Sequence, residues 1–263
     1  MNSATVHAIT IAPVKGLGLQ TRHEVQLGEL GVAEDRALYL VDARDRMVNN
    51  KRVGPLMAVI PDLDLSADTL SLRFPDGRVL TETLGAGTSA ETTFFSRRDT
   101  VRRVCPELSA ALSDYAGERL ELVRADPRHS AKDRGGDGAV SLLSTGSLAR
   151  LAEAAGKPVD ARRFRMLLQV DGLPPHAEDG FVGRDVQIGA ACVHFHGHVG
   201  RCRVTTLDPD SGEATLATLE LLEYRRGLPT TEPLALGIYG AVREPGRVRL
   251  GDPVRLLTAA RAG

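Results

Sequence analysis

The rhythm of apolar residues constrains this chain most: short alternating runs, each stopped by a turn signal. Val6–Ala12 alternates and ends at Pro13, and similar runs recur at Glu24–Leu27, Ala37–Val41, Leu56–Ile60, Thr69–Phe74 and Arg78–Leu80. The pattern continues through Glu118–Val123, Val140–Leu143, Met166–Val170, Asp185–Ile188 and Ala191–Phe195. Period-two alternation marks strands with one buried face. Pro75-Asp76-Gly77 and Gly189 lie between neighbouring runs and predict hairpins. Strands recurring every ~8–12 residues predict barrels or sandwiches rather than alternating βαβ units. The expected class is mainly β with a few helices. Helix signals occur at Pro106–Ala116, opened by Pro106 and stopped by Gly117, and at Ser147–Ala155, where Leu148, Leu151, Ala152 and Ala155 share a face. A third helix is expected at Leu216–Tyr224, with Leu216, Leu219 and Leu222 on one side for packing.

The stretch Asp126–Gly138 is the most polar and glycine-rich, so a domain boundary or loop is placed there, dividing the chain into 1–125 and 126–263. The 263 residues are enough for two such units. A net charge of −1 lacks the basic surplus of a general nucleic-acid binder. No apolar run reaches the roughly 20 residues that span a bilayer, and a strand pattern already begins at Val6, so no membrane segment or targeting leader is expected. Three irregularly spaced cysteines make no disulfide framework, which points to a soluble protein of the reducing cytoplasm.

Candidate chemistry concentrates in His198–Glu213, where Cys202 stands between Arg201 and Arg203. Two cationic neighbours favour the thiolate, the form that binds metals or attacks electrophiles. The same residues also suit a buried structural cysteine beside a hairpin turn. Upstream, Lys15 sits in a glycine-bearing loop, Val14 to Gly18, that fits either a phosphate contact or a plain turn. The spacing of a Walker loop is missing. Arg36 precedes an apolar strand, where loops build sites, and equally suits an ion pair with Asp35 or Glu34. Ser144 and Thr145 open a strand-to-helix turn whose free N–H groups form an anion site or are simply capped by Thr145 or Ser147. Arg162, Arg163 and Arg165 enter a strand as a possible phosphate clamp. The basic run Ser96–Arg103 reads as solvated surface.

Two other constellations surround Cys202. His194, His196 and His198 share one face if their stretch is extended, which suits zinc with Cys192 or Cys202, but glycines interrupt the strand and no CxxC or HExxH spacing accompanies them. Cys202 with His196 or His198 suits a cysteine hydrolase, but lacks the signatures of that chemistry.

The order Arg201-Cys202-x-x-Thr205-Thr206-x-Asp208-Pro209-x-x-Gly212, preceded by Arg163-Phe164-Arg165 and Ala177-Glu178-Asp179, resembles the MOSC domain. Pro13-Val14-Lys15 and Asp35-Arg36 resemble the N-terminal β-barrel domain that accompanies it, and Gly251-Asp252-Pro253-Val254 matches its close. The resemblance to the mitochondrial amidoxime-reducing components and their bacterial counterparts implies two β-barrel-like domains and a molybdenum cofactor (molybdopterin). Cys202 would be its metal ligand and catalytic centre. Lys15, Arg36, Ser144, Thr145, Arg165 and Arg201 would bind the cofactor. Soft sulfur suits such a metal.

The implied activity is reduction of an N-hydroxylated or other N-oxygenated small molecule. Three scattered cysteines cannot supply a four-cysteine iron–sulfur cluster, so electrons would come from a separate donor protein. The alternatives are a non-redox carrier of cofactor or sulfur on Cys202, and a cofactor-free small-molecule-binding barrel. Three positions depart from the pattern: Gly16 where a serine follows the lysine, Met166-Leu167 where Pro-Asn follows the arginine, and Gly200 where a serine precedes Arg-Cys.

Overall fold

The computed structural model describes residues 4–126, 135–228 and 234–257, so most of the expected boundary stretch Asp126–Gly138 lies outside the described residues. Strands dominate, as the alternation predicts, and form two main sheets. The larger has eight strands in the order Val254–Leu256, Asp185–Ile188, Ala191–Gly200, Ala235–Glu244, Val140–Ser144, Leu168–Asp171, Thr5–Ile11 and Gln20–Arg22. The other is built on Thr88–Phe94, Arg97–Arg103, Leu120–Arg124, Leu38–Asp42 and Val14–Lys15, with Met47–Val48 also pairing with Leu38–Asp42. A meander of Ile60–Asp64, Thr69–Arg73 and Val79–Thr83 and a pair of Glu24–Leu27 with Gly246–Arg249 complete the strands.

The first strand belongs to the sheet of the C-terminal half. Thr5–Ile11 pairs antiparallel with Leu168–Asp171, and only after Ala12-Pro13 does Val14–Lys15 join the other sheet, parallel to Leu38–Asp42. Proline has no N–H to give a ladder, so the chain changes sheets at Pro13. The crossing is pinned from both sides of its backbone. Ala12 N–H donates to Asp35 Oδ1 at 2.8 Å, while the Ala12 and Pro13 carbonyls accept from Arg36 N–H and Leu38 N–H. Asp35 is 3% exposed and is the buried buckle between the two halves, with Arg36 half-buried beside it. This seam places Lys15 and Arg36 opposite the C-terminal strands.

Each half has its own apolar cluster, one around Leu38, Leu40, Leu72 and Leu108 and one around Ile9, Leu168, Val193 and Ile238. All five residues of Leu38–Asp42 are buried, so this central strand shows no alternation. The hairpin at Pro75-Asp76-Gly77 forms as expected, with Leu72 opposite Leu80 and Gly77 at φ 88°. Helix α1 (Pro106–Ala116) and helix α2 (Thr145–Ala155) end on left-handed Gly117 and Gly156.

Two expectations need correction. Leu216–Tyr224 is not one helix: α3 (Thr218–Leu221) is a single turn followed by a 3-10 turn at Glu223–Arg225. The break turns Arg225 inward to Asp179 at 2.7 Å, an ion pair that a continued helix period does not provide. The run ending at Ile60 opens as a 3-10 turn, Gly54–Ala58, because Pro55 presets its first turn. Ser96–Arg103 is solvated surface as expected: it runs mostly as the strand Arg97–Arg103, whose arginines are exposed or half-buried while Asp99 and Val101 turn inward. No described helix is long and apolar enough to cross a membrane.

Candidate functional site

A cavity of about 440 Å³ opens along the seam and is lined from both halves. The N-terminal half supplies Lys15, Gly16, Asp35, Arg36, Asn49, Asn50, Lys51 and Phe95. The C-terminal half supplies Gly138, Ala139, Ser141, Arg163 to Leu167, Val199 to Cys202, Val204, Thr205 and Tyr239. Its charged lining is six basic residues against one acid, Asp35, a surface that draws anions.

Cys202 lies at the end of the long strand Ala191–Gly200, in extended conformation just ahead of a 3-10 turn, Arg203–Thr206. Its carbonyl accepts from Thr205 N–H at 3.1 Å and Thr205 Oγ1 at 3.0 Å, which sets the turn and leaves the side chain half-buried on the cavity wall. Arg163 holds the chain beyond, donating to the Thr206 carbonyl, Thr215 Oγ1 and Asp208 Oδ2. Gly212, at φ 74°, then packs backbone to backbone on Gly54, where an added β-carbon would lie 2.1 Å from the Gly54 carbonyl carbon. The Thr205, Asp208 and Gly212 positions are thus scaffolding for the cysteine turn. The other two cysteines are buried, and burial pushes both thiols up, Cys105 to about 12, so neither is suited to serve as thiolate.

Arg36 and Arg165 face each other across the seam. Arg36 pairs with Asp35 and donates through Nη2 to the Arg165 carbonyl at 3.1 Å. Both residues hold positive φ, 57° and 52°, a conformation costing a non-glycine residue about 1–3 kcal/mol when it persists. Such strain clusters where structure is held for function. Lys15 Nζ lies 5.4 Å from the centroid of the Phe94 ring and 5.8 Å from that of Phe95. Arg201 is 6% exposed and donates to the carbonyls of Leu236 and Phe164 and to Met166 Sδ, so it knits the wall together while adding positive charge to it.

Of the expected site residues, Cys202, Lys15, Arg36, Arg165 and Arg201 line one cavity. Ser144 and Thr145 do not. Ser144 is fully buried; its N–H and hydroxyl donate to Glu178, and its Oγ caps Ser147 N–H. Thr145 Oγ1 donates to Asp171 at 2.7 Å. Glu178, itself fully buried, also accepts from Ser147 Oγ at 2.6 Å, so this helix start already contains its own anion acceptor. The histidines do not share a face either. A bulge between Phe195 and Gly197 leaves His194 and His196 outward with rings 5.0 Å apart and buries His198, whose Nε2 lies 3.4 Å from Asp179.

Sequence reasoning missed Asn50, Phe95, Ser141 and Tyr239. Asn50 is buried and donates to the Gly16 carbonyl at 2.5 Å, and Ser141 Oγ accepts from Leu167 N–H at 3.0 Å. The available signal at Ser141 was a polar residue within an otherwise apolar strand run, Val140–Leu143. Gly16 holds φ 94°, which explains the glycine: a serine there would be strained.

Two family models match consecutive stretches, the MOSC N-terminal beta barrel domain over residues 3–119 and the MOSC domain over residues 126–255. Human mitochondrial amidoxime-reducing component 1 is 34% identical over 125 residues, 44% of this chain and 36% of the relative. Rice (Oryza sativa subsp. japonica) molybdenum cofactor sulfurase is 27% identical over 257 residues, 84% of this chain and 31% of the relative. The chain therefore spans about a third of the length of the curated relatives it matches. Among solved structures, the YUAD protein from Bacillus subtilis aligns over 96% of this chain and 94% of its own, at a TM-score of 0.46 and 11% identity. The two models follow each other along nearly the whole chain, and the chain belongs to the MOSC domain proteins that carry the MOSC N-terminal β-barrel domain.

Proposed function

We propose that this chain, with domains read as 1–125 and 126–263, is a molybdenum-cofactor-dependent oxidoreductase that reduces N-hydroxylated or other N-oxygenated small molecules. One observation carries the reading: the half-buried thiol of Cys202 shares a cavity with basic residues drawn from both halves. The residues fit the group. A soft thiolate suits molybdenum, the basic lining suits the phosphate of a pterin cofactor, and ~440 Å³ lies in the range of small-molecule sites. Family membership supports the choice of cofactor, and the likeness to amidoxime-reducing components supports the choice of reaction.

In this reading Cys202 ligates the metal, held at the end of its strand by the Thr205 contacts. Lys15, Arg36 and Arg165 neutralise the cofactor's phosphate, with Arg201 adding charge from behind the wall. When bound, the cofactor supplies two-electron redox chemistry. Conversion of N–OH to N–H and water takes two electrons and two protons, and the electrons come from a separate donor protein. The Arg36–Arg165 contact keeps the two walls in register across the seam. Asn50 fixes the turn that carries Lys15.

Metal and pterin content of protein purified from a cofactor-making host tests this. Stoichiometric molybdenum and pterin in the wild type, with molybdenum lost in a folded Cys202→Ala variant, is expected. Protein with neither would overturn the reading, and a persulfide on Cys202 without metal would replace it with a sulfur carrier, the role suggested by the sulfurase relative.

A further inference from the structure

Aromatic residues are scarce in this chain, with six Phe, four Tyr and no Trp. Three of them nonetheless form a continuous ladder from the core to the cavity. Tyr39, 1% exposed, meets Phe94 edge to face at 5.2 Å, and Phe94, 3% exposed, meets Phe95 edge to face at 5.1 Å. Phe95 is 59% exposed and lines the cavity.

Its backbone is as unusual as its exposure. Phe94 pairs with Arg97, so Phe95 and Ser96 form a two-residue hairpin loop in which Phe95 holds φ 54°. Hairpin loops of this length take Gly, Asn or Asp at such a position, and a bulky residue there is an outlier. A phenylalanine in a glycine position, held out over a cavity by edge-to-face contact with Phe94 and accompanied by Lys15 Nζ, gains little for the fold. Its advantage lies in what it presents to the cavity.

We infer that Phe95 is a stacking subsite for a flat, π-conjugated group of the substrate, and so sets a preference for aryl over saturated N-oxygenated compounds. The inference rests on the proposed reductase reading and names a substrate class for it. Offset or edge contact between the Phe95 ring and an aryl group adds attraction that a saturated ring of equal size cannot supply.

Two variants test it. Phe95→Gly suits the left-handed loop and leaves Lys15 over Phe94, so it is expected to melt no lower than wild type. In the cofactor-loaded protein it is expected to raise KM for an aryl amidoxime by about three- to ten-fold relative to the cyclohexyl amidoxime, with kcat for both preserved. Equal KM changes for the two ring types would overturn the inference and leave the reductase reading standing. Phe95→Trp places one indole in a chain that has none, so its emission reports the subsite without turnover. Quenching by benzamidoxime and not by its cyclohexyl analogue is expected. A response to neither compound, or to both alike, would overturn the subsite. Selective quenching in a protein that reduces no amidoxime would retain the subsite and remove the reductase reading.

Discussion

The start of helix α2 and the turn after Cys202 carry comparable chemistry in the sequence, yet only one of them faces the cavity. At the helix start, Ser144, Ser147 and Glu178 are fully buried and hydrogen-bonded to one another. An added β-carbon at Gly146 would lie 2.3 Å from the Leu173 carbonyl oxygen, so a loop already sits where an external anion would bind. At the cysteine turn, Thr205 and Arg163 satisfy the backbone from behind and leave the thiol on the wall. The difference teaches that a helix N-terminus is a site only while its donors lack an internal acceptor.

The largest effect should come from removing that acceptor. Glu178→Ala strands the Ser144 N–H in the core, leaves two serine hydroxyls with only each other and His176 as partners, and opens a void, a cost of about 3–5 kcal/mol measurable by denaturant unfolding. Glu178→Gln keeps the volume and should cost less. On the proposed cofactor reading, molybdenum per folded molecule should be unchanged in both, since the helix start lies outside the cavity. Loss of metal from well-folded Glu178→Gln would merge the two regions into one site.

Gly212→Ala attacks the other side of the comparison. Its β-carbon meets the Gly54 backbone and its φ of 74° suits glycine, so about 2–4 kcal/mol of stability should be lost. Because Gly212 braces the cysteine turn, metal retention should fall with stability, unlike in the Glu178 variants. A Gly212→Ala protein that keeps both would show that the turn needs no brace.

The smallest effect is a pH dependence at the helix start. Burial first, and then the nearby Arg225 charge, lower the pKa of His176, whose Nδ1 meets Ser147 Oγ at 3.3 Å. The folded state therefore binds its proton more weakly than the unfolded chain. Stability from this group is full above the unfolded value near 6.5 and is lost as pH falls through that value towards the lower folded one. Melting curves from pH 7.5 to 5 should show a decline that His176→Gln reduces, with the thiol reactivity of Cys202 at pH 7.5 unaffected by the substitution.

Legibility followed the range of the interactions. The hairpin at Gly77, the ends of α1 and α2 and the strand before Pro13 depend on local backbone chemistry and were readable as such. Lys15, Arg36 and Cys202 were readable as candidates because their charge or thiol is unusual beside turns. Asn50 and Phe95 were not, since each reaches the cavity from a loop whose position is set by strands distant in sequence. The face of His198 was not readable because the bulge between Phe195 and Gly197, one of three irregularities in Ala191–Gly200, reverses the alternation.

By itself, the sequence determined that this chain is mainly β, where most turns fall, and which cysteine stands among arginines. Those properties depend on side-chain periodicity, glycine and proline geometry and neighbouring charge, all of which act within a few residues. Only the tertiary structure decided that the first strand joins the sheet of the C-terminal half, that Lys15, Arg36, Arg165 and Cys202 meet along one seam, and that Glu178 closes the helix start. Each of these depends on which buried donor finds which distant acceptor, a pairing that exists only once the two halves have packed.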